Sequence, residues 1–169
     1  MRKSSVVVDT NVAVTANSRT EQADAACVLA CLNELELTRR SRRIILDNVG
    51  LILTEYLKQK PHGFPQGPGD AFLVWVHDNQ ANPAHARIVT ITQIVGDSEQ
   101  FAEFPNDPDL SKFDPPDRKF VAVAVASGDD PPILNATDND WCEHKQALER
   151  NLVRVKFLCP QLMREPNCR

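Results

Sequence analysis

Four acidic residues lie at points where an apolar segment ends or a helix is predicted to begin: Asp9, Glu55, Asp117 and Asp138. Asp9 follows three valines, and Asp138 follows a short aliphatic segment. Because the carboxyl ends of parallel strands meet along one edge of an α/β sheet, residues far apart in sequence can converge there. Converging carboxylates repel one another unless a cation lies between them. The pattern therefore predicts a divalent metal site, and its all-oxygen ligands favour Mg²⁺ or Mn²⁺.

The first two acids also fit ordinary structural roles when each is considered alone. Asp9 could cap the helix that follows it, although Thr10 or Asn11 could provide that cap and leave Asp9 free for a metal. Glu55 fits an exposed position in the middle of a predicted helix. The metal hypothesis therefore depends on the acids acting together.

The later acids leave the same choice open. Asp117 follows two prolines and fits the first turn of a helix, where the helix dipole stabilises negative charge. Asp138 and Asp140 follow a predicted strand, where Asx turns are common. Asp114 is close enough to Asp117 in sequence to serve as a supplementary acid.

Hydrophobic patterning predicts the elements that position these acids. Short aliphatic runs predict buried strands, and apolar residues that recur at spacings of three and four predict helices. The predicted strands cover residues 6–8, 44–46, 133–134 and 153–158 with an extra strand at 87–95, and the predicted helices cover 21–37, 51–59, 71–78 and 119–127. Proline and glycine predict loops at 63–69 and 96–116, and Pro61 is expected to stop the second helix.

Strands that alternate with helices predict an α/β fold, here a three-layer α-β-α sandwich with a mainly parallel central sheet. A chain of 169 residues is long enough for one full hydrophobic core and too short for two comfortable domains. We therefore predict a single domain over residues 1–160, with an insertion or long loop around 63–116 and a C-terminal tail at 161–169.

The composition is that of an ordinary globular protein, with 42% apolar and 25% charged residues. The longest apolar stretches fall short of the roughly 18 residues that span a bilayer, so no membrane partner is expected. The N-terminus lacks the apolar core of a signal peptide, which makes the cytoplasm the expected location. A formal net charge of −4 neither indicates nor excludes nucleic-acid binding, because the distribution of charge matters more than its sum.

Cysteine and histidine usage argues against several classes of site. Five cysteines form an odd number without any Cys-x-x-Cys pair, so neither a disulfide framework nor a zinc ribbon is expected. Cys27 and Cys31 lie four apart on a predicted helix, and the favoured interpretation is reduced thiols packed as small hydrophobic side chains. The four histidines show no ligand spacing such as His-Glu-x-x-His, which disfavours a zinc hydrolase.

The acids and their neighbours form an ordered series that resembles the PIN-domain family, metal-dependent nucleases of the α/β class, from about residue 6 to residue 160. The family's first acid lies within Asp-Thr/Ser-Asn, as Asp9 does, and its second lies on a helix after the second strand, as Glu55 does. Its third opens a helix rich in small residues, matched by Asp117, and its fourth begins an Asp-x-Asp followed by an aromatic, matched by Asp138.

The chain departs from the family pattern at two places. Ala136 stands two residues before Asp138, where a Thr or Ser is usual, so a hydroxyl beside the metal ligands is missing. The segment 63–116 is also longer than in the smallest members of the family. These departures concern the surroundings of the metal and the choice of substrate.

The resemblance implies a ribonuclease that cleaves single-stranded RNA internally with one or two Mg²⁺ or Mn²⁺ ions. The ions would lower the pKa of a bound water that attacks the phosphorus in line, and would neutralise charge on the leaving oxygen. Asp140 is expected to act as an outer ligand or base, and Thr10 and Asn11 to support the ligands. The implied metal ligands are Asp9, Glu55, Asp117 and Asp138.

The implied partners are RNA and proteins. Many stand-alone members of the family are the toxin of a toxin-antitoxin pair, so an antitoxin protein is an expected partner, and the resemblance allows a homodimer. A run of arginines is usually a solvated face, but basic residues that contact RNA phosphates would make binding salt-dependent. The residues expected to do so are Arg39, Arg40, Arg42, Arg43, Arg118 and Lys119.

Two other functions compete with the nuclease. A catalytically silent PIN-like module that binds a protein partner is disfavoured because an inactivated site would be expected to lose at least one acid, and all are present. A phosphotransferase or receiver-like domain would need a lysine or a phosphorylatable aspartate on a later strand, and the sequence offers no convincing candidate. Cleavage in the presence and absence of EDTA separates the nuclease from the binding module.

Overall fold

Five parallel strands form the central sheet of the computed structural model, which describes residues 3–59 and 65–169. The described residues form these five strands and two more, which are, in chain order, β1 (Ser4–Val8), β2 (Arg42–Asp47), β3 (Ala86–Val89), β4 (Gln93–Ile94), β5 (Asp97–Phe101), β6 (Pro132–Asn135) and β7 (Arg154–Phe157). The sheet has the order β3-β2-β1-β6-β7, and β4 and β5 form a separate antiparallel ribbon. The predicted mainly parallel sheet is confirmed.

Helices flank the sheet and complete the predicted three-layer α-β-α sandwich. They are α1 (Thr10–Ala16), α2 (Ala25–Ser41), α3 (Leu51–Gln59), α4 (Pro68–Asn79), α5 (Arg118–Ser127), α6 (Asp140–Glu143) and α7 (Lys145–Arg150). β1 is central and its three valines are fully buried, as its continuous β-branched run predicts. Helix α5 is also buried along most of its length, and it ends at Gly128, whose φ of 65° favours glycine.

Several element boundaries differ from the prediction. α2 begins at Ala25 rather than at residue 21, because the Asp24 side chain caps the helix by accepting a hydrogen bond from the Cys27 amide at 2.7 Å. The single strand predicted at 87–95 is wrong: its first part is β3 in the main sheet, and its last part is β4 in the ribbon. The predicted loop at 96–116 contains β5, because this segment folds back and pairs with β4.

The structure does not test every predicted boundary. The expected helix stop at Pro61 and the start of the loop at Gly63 lie outside the described residues. Within the described ranges, no helix is both long enough and apolar enough to cross a membrane.

Two disulfides join distant parts of the chain, so the expectation that the cysteines form no disulfide framework is wrong, as is the reduced thiol expected at Cys27. Cys27 of α2 bonds to Cys159, which follows β7, and Cys142 of α6 bonds to Cys168 near the C-terminus. Cys31 is buried and free. The odd count was misleading because two pairs and one leftover thiol also give five. Partners separated by 132 and by 26 residues leave no spacing signal in the sequence.

Candidate metal centre

The turn from β1 into α1 places Asp9 at the carboxyl edge of the sheet. Asp9 is 4% exposed, and its side chain caps α1 by accepting a hydrogen bond from the Asn11 amide at 3.0 Å. The cap is therefore Asp9 itself, not Thr10 or Asn11. Its second oxygen accepts a hydrogen bond from Trp141 Nε1 at 2.7 Å. These two donors fix the orientation of a carboxylate that still has lone pairs for a cation.

Asp117 and Asp138 converge on Asp9 from two other segments. Asp117 ends the 3₁₀ turn Pro115–Asp117 that leads into α5, and Asp138 lies in the loop after β6. Carboxylate oxygens of the three residues all lie within 4.8 Å of one another. The three acids are thus close enough for one divalent ion to contact all of them, and oxygen ligands suit Mg²⁺ or Mn²⁺.

Burial and mutual repulsion make two of these carboxylates, Asp9 and Asp117, reluctant to ionise. Burial raises the pKa of Asp9 to about 7, and the charges of Asp138 and Glu55 add to this effect. Burial also raises the pKa of Asp117 to about 9, reinforced by Asp9, Asp138 and Asp114. A bound cation would reverse both effects, because it favours the charged form of each ligand. The electrostatics of the cluster therefore fit a divalent ion.

Glu55 lies beside this cluster with both of its oxygens engaged. Thr10 Oγ1 donates a hydrogen bond to Glu55 Oε1 at 2.5 Å, and the Lys119 ammonium forms an ion pair with Oε2. Glu55 is close enough to raise the pKa of Asp9, but it is not in the group whose oxygens lie within 4.8 Å. Of the four expected ligands, the structure therefore groups three and pairs the fourth with a lysine.

Two asparagines hold the two strand ends of the cluster together. Asn11 Nδ2 donates to Asn135 Oδ1 at 2.9 Å, and Asn11 Oδ1 accepts from the Ala136 amide at 2.8 Å. Asn135 is fully buried and bonds both the amide and the carbonyl of Asp138. Asn11 thus supports the site as expected, whereas Asn135 was not predicted. Its position at the end of a strand that precedes an acid is the only sequence signal that could have indicated it.

Asp140 links the cluster to the preceding loop. Its Oδ2 accepts a hydrogen bond from the Asp114 amide at 2.9 Å, and its Oδ1 lies 3.2 Å from His144 Nδ1. Its own amide donates to Asp138 Oδ1 at 2.9 Å, which forms the Asx turn that the spacing allowed. These contacts tie Asp140 to Asp114 and Asp138, and its expected role as an outer ligand or base stays a prediction. Asp114 itself contributes charge that raises the pKa of Asp117.

Most of the basic residues expected to contact RNA lie away from the cluster. β1 and β2 are parallel and pair Ser4 with Arg42, so Arg42 and Arg43 lie at the amino edge of the sheet, opposite to Asp9. Their ion pairs are with Glu34 and Asp129 respectively. Arg39 and Arg40 lie in the last turn of α2, and both pair with Glu36.

Arg118 lies near the cluster but faces inward. It is 5% exposed, and its guanidinium donates to the backbone carbonyls of Phe113 and Ser111. These bonds fix the loop that carries Asp114 and Asp117. Of the expected RNA-contacting residues, Lys119 is the one that the structure places in the cleft.

A groove of about 330 Å³ opens beside Glu55 and Lys119. One wall is α3, a second is the β4–β5 ribbon, and the third is the turn of Pro115 and Pro116. Its lining residues are Leu51, Thr54, Glu55, Lys58, Gln93, Ser98, Glu99, Phe101, Pro115, Pro116 and Lys119. The ribbon that the sequence did not predict thus builds one wall of the groove that Glu55 and Lys119 line.

The raised pKa values predict how the stability of the metal-free protein depends on pH. The carboxyls of Asp9 and Asp117 are expected to ionise near 3.8 in the unfolded chain but at about 7 and about 9 in the folded chain. Between these values the folded state binds more protons, so the free energy of unfolding falls as pH rises through this window. Thermal unfolding in EDTA should show a melting temperature that falls as the pH rises. Added Mn²⁺ should make this fall smaller.

A charge-neutral variant isolates the contribution of the cluster. Asp117→Asn should raise the melting temperature in EDTA at the upper end of the window and flatten its pH dependence, because it removes one of the repelling charges. The substitution should cost no helix cap, since the Asp117 side chain makes no capping hydrogen bond. Glu21→Gln, which changes an exposed acid, should leave the slope as it is. A melting temperature that rises with pH, or a slope unchanged in Asp117→Asn, would contradict the repulsion that we assign to the cluster.

Comparison of the chain with protein-family models, curated proteins and solved structures yields no match. The resemblance to the PIN-domain family, the RNA substrate and the antitoxin partner therefore remain predictions from the residues.

Proposed function

We propose that this protein is a Mg²⁺- or Mn²⁺-dependent endoribonuclease that acts on single-stranded RNA. One observation carries the proposal: Asp9, Asp117 and Asp138, from three separate segments, bring carboxylate oxygens within 4.8 Å of one another at the carboxyl edge of the sheet. Three acids so close together, two of them buried, are unfavourable without a cation. The choice of RNA as substrate rests on the ordered series of motifs that resembles the PIN-domain family.

The residues of the chain have separable roles in this proposal. Asp9, Asp117 and Asp138 would hold the ion, while Trp141 and Asn11 fix the orientation of Asp9. A bound Mg²⁺ or Mn²⁺ supplies a water of lowered pKa and neutralises charge on the departing oxygen. Lys58 and Lys119 line the groove beside the acids, where they would attract the phosphates of the bound strand.

The decisive experiment measures cleavage of end-labelled RNA by the purified protein. We expect internal cleavage of single-stranded RNA in Mn²⁺ or Mg²⁺, loss of cleavage in EDTA, and recovery when excess Mn²⁺ is added back. A base-paired RNA and a single-stranded DNA of the same sequence report on the choice of substrate. Cleavage that persists in EDTA would contradict the metal-dependent mechanism, and RNA binding without cleavage in any divalent ion would favour the silent binding module instead.

A further inference from the structure

Lys119 places its ammonium inside the carboxylate cleft rather than on the surface. Its side chain is only 10% exposed, whereas lysine is among the residues least often buried. The ammonium pairs with Glu55 and donates a hydrogen bond to the carbonyl of Pro116. An ammonium removed from water needs such partners, so its place in the cleft depends on Glu55.

The same contacts leave Glu55 poorly suited to bind a metal. Its Oε1 accepts a hydrogen bond from Thr10, and its Oε2 is already paired with the Lys119 ammonium. A divalent ion at Glu55 would lie within a few ångströms of that ammonium, and like charges so close repel one another even where the side chains are only partly buried. Within the described residues, Asp9, Asp117 and Asp138 form no ion pair with a lysine or an arginine.

We propose that the Lys119 ammonium takes the place of a second divalent cation, so that the cleft binds one ion between Asp9, Asp117 and Asp138 while Glu55 holds Lys119 beside it. This inference rests on the proposed metal-dependent function. It divides the four acids into three ligands and one residue that positions a lysine. The fixed charge lies on the groove side of the cluster, since both Glu55 and Lys119 line the groove.

The experiment counts bound Mn²⁺ per chain by equilibrium dialysis, with electron paramagnetic resonance to detect magnetic coupling between neighbouring ions. The wild type should bind one ion without coupling. Lys119→Met removes the charge but keeps an unbranched side chain, and it should bind a second ion that couples to the first. Lys119→Arg should retain one. Lys156→Met is the matched control because it breaks another Lys–Glu ion pair, with Glu34 of α2, and it should also retain one.

Affinity for the first ion separates the roles of the acids. Asp138→Asn removes a proposed ligand and should abolish measurable Mn²⁺ binding. Glu55→Gln should weaken binding of the first ion by no more than roughly tenfold, the lower end of what residues behind metal ligands contribute. A larger loss in Glu55→Gln would overturn the division of the acids.

The outcomes distinguish this inference from the function on which it rests. Two coupled ions in the wild type, or a single ion in Lys119→Met, would overturn the role of Lys119 while leaving a metal-dependent nuclease intact. A wild type that binds no Mn²⁺ would overturn both. One uncoupled ion in the wild type and two in Lys119→Met would support the substitution of lysine for metal.

Discussion

The Asp138→Asn variant is expected to cleave single-stranded RNA at least roughly a thousandfold more slowly than the wild type, because a catalytic metal supplies several kcal/mol of transition-state stabilisation and each 1.36 kcal/mol is a factor of ten. The amide keeps the size of the side chain and an oxygen that can accept the hydrogen bond from the Asp140 amide. It removes the negative charge that holds the ion. The fold should therefore persist while cleavage is lost.

The measurement compares single-turnover cleavage rates of the two proteins in saturating Mn²⁺. Circular dichroism and thermal unfolding in EDTA should show that Asp138→Asn is folded and no less stable, since one of the repelling charges is gone. Asp78→Asn is a matched control because it makes the same change at an exposed helix position. Equal cleavage by Asp138→Asn and the wild type would contradict the assignment of the cluster as the catalytic centre, and would identify a contaminating nuclease if EDTA also had no effect.

Removal of the Cys27–Cys159 disulfide is expected to lower the free energy of unfolding by about 2–4 kcal/mol, a large part of the stability of an ordinary domain. The bond joins α2 to the segment after β7 across 132 residues. In the chain-entropy model, cross-linking so long a loop raises the free energy of the unfolded chain by about 5 kcal/mol. The same model gives about 3.5 kcal/mol for the 26-residue separation of Cys142 and Cys168.

Denaturant unfolding of two double alanine variants under oxidising conditions tests this ranking. The variant without Cys27 and Cys159 should be less stable than the one without Cys142 and Cys168, and Cys31→Ala serves as the control for loss of a buried thiol that forms no bond. Thiol titration of the unfolded, unreduced wild type should find one free thiol. Five free thiols, or equal stability of the wild type and the Cys27/Cys159 variant, would contradict the disulfide.

The local pattern of the sequence was enough to predict the α/β fold. A run of three valines favours a strand buried on both faces, and the apolar residues of 119–127 favour a buried helix, so the parallel sheet and α5 could be predicted from residues next to one another. The position of Asp9 at the end of a strand follows in the same way. Strand ends and helix starts are set by near neighbours, and the sequence displays them directly.

Other features depended on which segments pack against each other. The split of 87–95 into β3 and β4 depends on β5 folding back, and the disulfides depend on β7 bringing Cys159 to α2. The pairing of Glu55 with Lys119 and the placement of Arg42 at the far edge of the sheet likewise depend on the arrangement of strands and helices. In sequence Glu55 looked like one more metal ligand. Residue type and spacing predicted that acids would gather at one sheet edge, but only the tertiary structure decided which acid meets a lysine, because that contact depends on the packing of α3 against α5.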